Sequence, residues 1–302
     1  MVDQLSPTTE ASAISGPILD AIDDPNLVEI SYNADGRVFC HHFMGGPRDG
    51  GQWDPEAAER LIRWCASASG TVITRTRPIL SARIPGYPHR IEALLPPVVA
   101  APTFSIRRHM SAAGTPLPKL EHFDWSDTNH GPDDIVHALR RRRNIVVAGA
   151  TGSGKTTFAN ACLTELARLH PTLRVVLIED TPELQASAVL ANVVALRTSD
   201  TVSQQQLLVS ALRLAPGRII VGECRDGAAA LTLLKAWSTG HPGGITTLHA
   251  NGAREVVPRL DQLCSEVAVT SQERMIRSTV GVTVFLDRGI GKPVVREILE
   301  ID

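Results

Sequence analysis

Cysteine is scarce. There are five in 302 residues, Cys40, Cys65, Cys162, Cys224 and Cys264, odd in number and scattered. No C-x-x-C pair occurs. That composition argues for a reducing compartment and against a zinc module. Long apolar runs are absent too. Nothing approaches the roughly 18 residues that a membrane span needs. The most apolar stretch, Leu94 to Phe104, is broken by Pro96, Pro97 and Pro102. Met1 to Pro7 lacks the basic and apolar regions of a secretory leader. The formal net charge is only −2, which gives no global basic field and no reason to expect direct nucleic-acid binding. The expectation is a cytoplasmic chain without an integral membrane segment, and no internal repeat is visible. What the chain does have is 43% hydrophobic residues, enough for real cores. Its length suits about two domains.

Residues 1–15, rich in Ser, Thr and Ala, read as a flexible tail. Residues 16–110 read as a small α+β domain of mixed topology. A short helix begins at Ile18 and stops at Asp23-Asp24-Pro25-Asn26. Strands are expected at Leu27–Tyr32 and Arg37–Phe43 around an Asn33-Ala34-Asp35-Gly36 turn. Asp54 and Pro55 open a helix that Gly70 ends. Further strands fall at Ile79–Ile84, Arg90–Leu95 and Thr103–Arg108. Residues 111–119, with Pro116, Pro118 and Gly114, read as a linker and hinge. From 120 to the end, strand and helix patterns alternate, which predicts a mostly parallel sheet with helices on both faces. Thr279–Leu286 and Pro293–Ile298 read as an edge hairpin closing that domain.

The chemistry centres on Gly149-Ala150-Thr151-Gly152-Ser153-Gly154-Lys155-Thr156, which fits the phosphate-binding pattern G-x-x-x-x-G-K-[ST] without a mismatch. The apolar run Asn144–Ala148 leads in as a strand, and the segment from Thr157 leads out as a helix. Glycines 149, 152 and 154 let the backbone wrap a phosphate chain. The loop N–H groups and the helix N-terminus supply positive potential. Lys155 is expected on the β- and γ-phosphates of a nucleoside triphosphate, and the Thr156 hydroxyl on Mg²⁺. Gly149 to Thr157 form the expected nucleotide-binding set.

Three later strands end in Glu179, Glu223 and His249. In an open parallel sheet the carboxyl ends of the strands face the ligand crevice. These side chains, with Lys155, are the expected catalytic group: the glutamates share water activation and metal support, and His249 senses the γ-phosphate. Gly222 precedes Glu223 where an aspartate is usual, so Mg²⁺ is expected to rely on Thr156 and Asp180.

Four segments together resemble the secretion ATPases of type II and type IV systems, most closely conjugal-transfer ATPases of the TrbB type. They are the phosphate loop, Ile178-Glu179-Asp180-Thr181-Pro182-Glu183-Leu184, Arg218-Ile219-Ile220-Val221-Gly222-Glu223-Cys224-Arg225, and Thr246-Thr247-Leu248-His249-Ala250-Asn251. The resemblance implies a RecA-like P-loop ATPase domain preceded by a small α+β domain. It also implies a homohexameric ring, peripheral to the inner membrane, that works with membrane components to drive pilus assembly and transfer of DNA or protein. In such rings nucleotide sits between the two domains, which makes Arg107 the matching phosphate contact, with Arg108 second. A pilus extension or retraction motor and a nucleotide-gated scaffold with little turnover stay open as alternatives. Ala215-Pro216-Gly217 stands where the family has Arg-Pro-Asp, which removes a charge pair expected near the active site.

Several residues carry plainer readings. Glu183 reads as a helix-start or structural acid. Arg140–Arg143 suits a helix C-terminus as well as a basic patch. Arg197 and Arg213 fit either a finger toward a neighbouring subunit or an ion pair. In Cys40-His41-His42, neighbours on a strand point to opposite faces, which argues against a metal site.

Overall fold

The structure is a computed structural model that describes residues 17–24, 26–42, 47–87, 89–108, 117–199, 201–289 and 291–301. The expected tail, and residues 111–116 of the expected linker, lie outside the described residues. The chain divides into two compact units, residues 1–115 and 116–302.

The first unit holds α1 (Pro17–Ile22), β1 (Leu27–Tyr32), β2 (Arg37–His42), β3 (Pro47–Gln52), α2 (Pro55–Ala68), β4 (Ile79–Arg83), β5 (Arg90–Leu94) and β6 (Thr103–Arg107). The strands form one sheet in the order β3-β2-β1-β6-β5-β4. Every pairing in it is antiparallel, which corrects the expected mixed topology. Asp54 caps α2 by accepting from the Ala57 N–H at 3.0 Å. Leu61, Ile62 and Cys65 of α2 pack with Ile30, Phe104 and Ile106 of the sheet. Tyr32 stacks on Phe104 at 5.1 Å between ring centroids, and Trp53 meets both edge-on. β3 has the sequence Pro-Arg-Asp-Gly-Gly-Gln and a largely exposed face. Its place comes from backbone pairing with β2, so no hydrophobic pattern announces it.

The second unit follows the expected alternation: α3 (Pro132–Arg140), β7 (Asn144–Gly149), α4 (Lys155–Leu169), β8 (Arg174–Glu179), α5 (Ala186–Val189), β9 (Asn192–Arg197), α6 (Gln204–Ala211), β10 (Arg218–Val221), α7 (Gly227–Ser238), β11 (Ile245–Leu248), α8 (Val256–Cys264), α9 (Glu273–Thr279), β12 (Val280–Asp287) and β13 (Val294–Glu300). The sheet order is β13-β12-β7-β11-β10-β8-β9. Only β13 is antiparallel to its neighbour. β7 is buried along its whole length and splits between two cores. Ile145 and Val147 face α3 and α4 through Leu139, Phe158 and Leu163. Val146 and Ala148 face α6, α7 and α8 through Leu208, Leu233 and Leu260. A strand covered on both faces reads as an unbroken apolar run, which is why β7 was visible in the sequence.

One buried side chain ties three strand starts together. Asn144 Oδ1 accepts from the Gly243 and Gly244 N–H groups at 2.7 and 2.9 Å, and Nδ2 donates to Thr279 O at 2.7 Å. It thereby fixes β7 against the lead-ins to β11 and β12. At the same end, Arg218 is 1% exposed and donates to Gly243 O and Leu139 O. Burial, with the Arg142 charge adding to it, lowers its pKa to about 10. Arg142 and Arg143 donate to the Gly217, Gly281 and Ile301 carbonyls, which gives half of the arginine run a structural task. Gly217 lies here as well, at the start of β10 and away from the phosphate loop, so the charge pair missing from 215–217 is not an active-site feature. A Cβ on Gly217 would come within 2.9 Å of Arg174 O.

Asn144→Ala leaves three backbone groups at this junction without their partner. It is expected to cost about 3 kcal/mol in chemical denaturation, while a loss below about 1 kcal/mol would show that the strand starts close without it.

Candidate active site

The phosphate loop leaves the carboxyl end of β7 and enters α4 at Gly154, whose φ of 95° lies in the left-handed region that favours glycine. Lys155, the first residue of α4, is 8% exposed. Its ammonium donates to Gly149 O and Ala150 O, both at 2.8 Å, and stands 3.4 Å from His249 Nδ1. The loop is folded around its own lysine. Ser153 Oγ, also in the loop, is buried without a hydrogen-bond partner among the described residues. A phosphate oxygen would supply one.

β11, next to β7 in the sheet, delivers His249 to this lysine. β10, next to β11, delivers Glu223. His249 Nε2 lies 3.0 Å from Glu223 Oε1, and Arg225 Nη2 donates to Glu223 Oε2 at 2.7 Å. Arg225 also reaches Asp180 Oδ2 at 3.3 Å, and Thr198 donates to Asp180 Oδ1 at 2.9 Å. A continuous series of contacts thus runs Lys155, His249, Glu223, Arg225, Asp180. Burial pushes the Glu223 carboxyl up. The Arg225 hydrogen bond and charge, with the charges of His249 and Lys155, outweigh that and hold it below its ordinary value. A cavity of about 330 Å³ opens beside these groups, lined by Glu223, Arg225, His249 and Arg259 among others.

Glu179 is placed differently. It closes β8, is 6% exposed, and accepts from the Glu183 and Leu184 N–H groups at 2.9 and 2.8 Å. Burial pushes its carboxyl up to about 7, against the pull of those two bonds. The missing aspartate is explained here. A Cβ on Gly222 would lie 2.9 Å from Glu179 Cγ, so the glycine makes room for the glutamate.

The acid that meets Thr156 is Glu183. Thr156 Oγ1 donates to Glu183 Oε2 at 3.0 Å, whereas Asp180 is held by Thr198 and Arg225. Asn160 secures this turn by donating to Glu183 O and accepting from the Gln185 N–H. The plain structural reading of Glu183 missed this contact, and the signal for it was the spacing: Glu179 gathers the next turn and swings Glu183 back to the phosphate loop. Arg225 was missed as well, although it lies two residues beyond Glu223. Arg197 ends β9 opposite Glu179 in the pairing, and Arg213 is exposed beyond α6. Arg107 ends β6 in the first unit, opposite Glu29 and Arg90. Thr157 lies in the first turn of α4 and is exposed.

This geometry has relatives. The family profile of type II/IV secretion system proteins matches residues 64–287. The chain belongs to that family. It is 44% identical over 284 residues to conjugal transfer protein TrbB of Rhizobium radiobacter, covering 93% of this chain and 86% of the relative. It is 34% identical to type IV secretion system protein VirB11 of Bartonella quintana, covering 83% and 80%. The solved structure of the pilus retraction motor PilT with bound ADP superimposes with a TM-score of 0.66, covering 94% of this chain and 82% of that one. At 19% identity that last likeness is one of fold. Among the described residues no helix is long and apolar enough to cross a membrane.

Glu179 gives this family member a stability slope of known sign. A carboxyl raised from 4.5 to about 7 contributes stability that is fully present below about pH 4.5 and lost as pH rises through about 7. Glu179→Gln is expected to remove that slope, worth up to about 3 kcal/mol, and to be at least as stable as wild type at pH 8. Denaturation at pH 5 and pH 8 checks this. Parallel pH profiles for the two proteins would contradict it.

Proposed function

We propose that this chain is the ATP-hydrolysing motor of a conjugal-transfer or type IV secretion machine. It acts as a homohexamer on the cytoplasmic side of the inner membrane, with membrane components of the machine as partners. The observation that supports hydrolysis is the contact series from Lys155 through His249 to Glu223 at the tips of three adjacent parallel strands. The strong likeness to a conjugal transfer protein over nearly the whole chain supports the biological setting.

Each residue has a task in this reading. The loop N–H groups and the α4 N-terminus receive the phosphates. Lys155 exchanges its two loop carbonyls for phosphate oxygens and neutralises charge on the β- and γ-groups. Glu223, held ionised, orients the attacking water and accepts its proton. His249 reports on the γ-phosphate from between Lys155 and Glu223. Arg225 keeps Glu223 aimed. Glu179 shapes the turn that carries Glu183.

The donor set fits Mg²⁺. Thr156 Oγ1 and the Glu183 carboxylate are hard oxygen donors 3.0 Å apart. Among the described residues no cluster of three His, Cys, Asp or Glu side chains could hold a metal. Mg²⁺ usually keeps several waters and shares substrate phosphates, so one hydroxyl and one or two acids suffice. When bound, it would neutralise charge developing between the β- and γ-phosphates. Thr156 would hold it with Glu183, and Asp180 stands further out behind Arg225. Arg107 is assigned to the phosphates from the first unit, as the family resemblance implies.

Phosphate release by the purified chain, with particle mass measured with and without ATP, tests the reading. Lys155→Ala is expected to reduce turnover at least about 100-fold, and retained turnover would contradict the site. Glu223→Gln is expected to bind nucleotide within about threefold of wild type and to turn it over about 100-fold more slowly. Loss of binding in that variant would give Glu223 a different role.

A further inference from the structure

Sequence alone assigns the three phosphate-loop glycines to the phosphates. The structure gives each of them a second neighbour, and all three neighbours come from the β12–β13 hairpin. Leu286 pairs with Gly149, and a Cβ on Gly149 would come within 2.4 Å of Leu286 O. A Cβ on Gly152 would lie 2.7 Å from Arg288 Nη2, and one on Gly154 would lie 2.6 Å from Pro293 Cγ. The hairpin expected to close the edge of the sheet is also the outer wall of the phosphate loop.

Arg288 is the polar member of that wall. Its Nη2 donates to Thr151 O at 2.7 Å, and the guanidinium lies over Gly152. It is exposed and forms no ion pair among the described residues. Asp287, the nearest acid in sequence, bonds the Arg288 backbone N–H and lies 3.4 Å from Arg296 Nε. A trans peptide is planar, so its C=O and the following N–H point in opposite directions. Fixing the Thr151 carbonyl toward Arg288 therefore fixes the Gly152 N–H away from it, on the other side of the loop. A phosphate cradle depends on such N–H groups being set before the anion arrives.

We infer that Arg288 is a positioning residue for the triphosphate, holding the Thr151–Gly152 peptide with its N–H aimed at the phosphates. The inference rests on the nucleotide-binding reading above. It predicts a loss of phosphate affinity without a loss of chemistry, because the residue acts through the loop and touches no reacting atom. The loop meets only phosphate, so the loss does not depend on the base.

Binding of ADP and of inorganic tripolyphosphate to the full chain, each with Mg²⁺, tests it by calorimetry. Arg288→Ala is expected to weaken both about five- to tenfold, the worth of one solvent-exposed hydrogen bond. KM for ATP should rise alike, with kcat within about twofold and the thermal midpoint unmoved. Arg288→Lys keeps a donor and should recover part of the affinity. Three results would overturn the inference: unchanged affinity in Arg288→Ala, weakening confined to ADP, or a fall in kcat at constant KM. A wild-type chain that binds neither probe would instead overturn the nucleotide reading itself, which separates the two failures.

Discussion

A buried ammonium governs this site. Lys155 is withdrawn from solvent at the start of α4, and two carbonyl oxygens of its own loop take part of its charge. Burying a cation is costly unless partners replace its water, and backbone carbonyls are weaker partners than a phosphate. The loop therefore has a built-in reason to bind anions. The rest of the domain serves that arrangement. β7 holds the loop from below, β11 sets an imidazole against the lysine, and β10 sets a carboxylate against the imidazole.

The two glutamates at the strand tips show how environment divides similar groups. Glu223 faces Arg225 and His249, and its charge is favoured despite burial. Glu179 is buried against Gly222 and its own turn, and its charge is disfavoured. The first suits orientation of water at neutral pH, and the second suits construction. The glycine at 222 links them. It removes the side chain that would otherwise fill the Glu179 position, and so lets the turn after β8 fold inward. That turn carries Glu183 to Thr156.

Much of this was legible in the residues. β7 and β8 are continuous apolar runs because both their faces are covered. The loop has the glycines, lysine and threonine that phosphate demands. The edge strands were harder. β3 is polar and exposed and exists through backbone pairing, and β9, at an edge of the second unit's sheet, carries only a short half-buried pattern. The convergence of Glu223 and His249 on the phosphate loop could be read from their strand ends, but finer contacts between distant segments were harder to read. Which of Asp180 and Glu183 meets Thr156 depends on a turn geometry set by Glu179. The approach of Leu286, Arg288 and Pro293 to the loop glycines depends on β12 pairing beside β7, about 140 positions later in the chain. The charge pair missing from 215–217 was expected near the active site, yet Gly217 lies just before β10, at the opposite end of that strand from Glu223.

In the proposed function Lys155 waits on its own loop for phosphate, with His249 and Glu223 in line behind it. The most direct measurement is a crystal structure of the chain with Mg²⁺ and a non-hydrolysable ATP analogue. The account expects the Lys155 ammonium on the β- and γ-phosphate oxygens, His249 within hydrogen-bond reach of the γ-phosphate, and Glu223 facing the position of the attacking water. An ammonium still on Gly149 O and Ala150 O, with the triphosphate seated elsewhere, would contradict it.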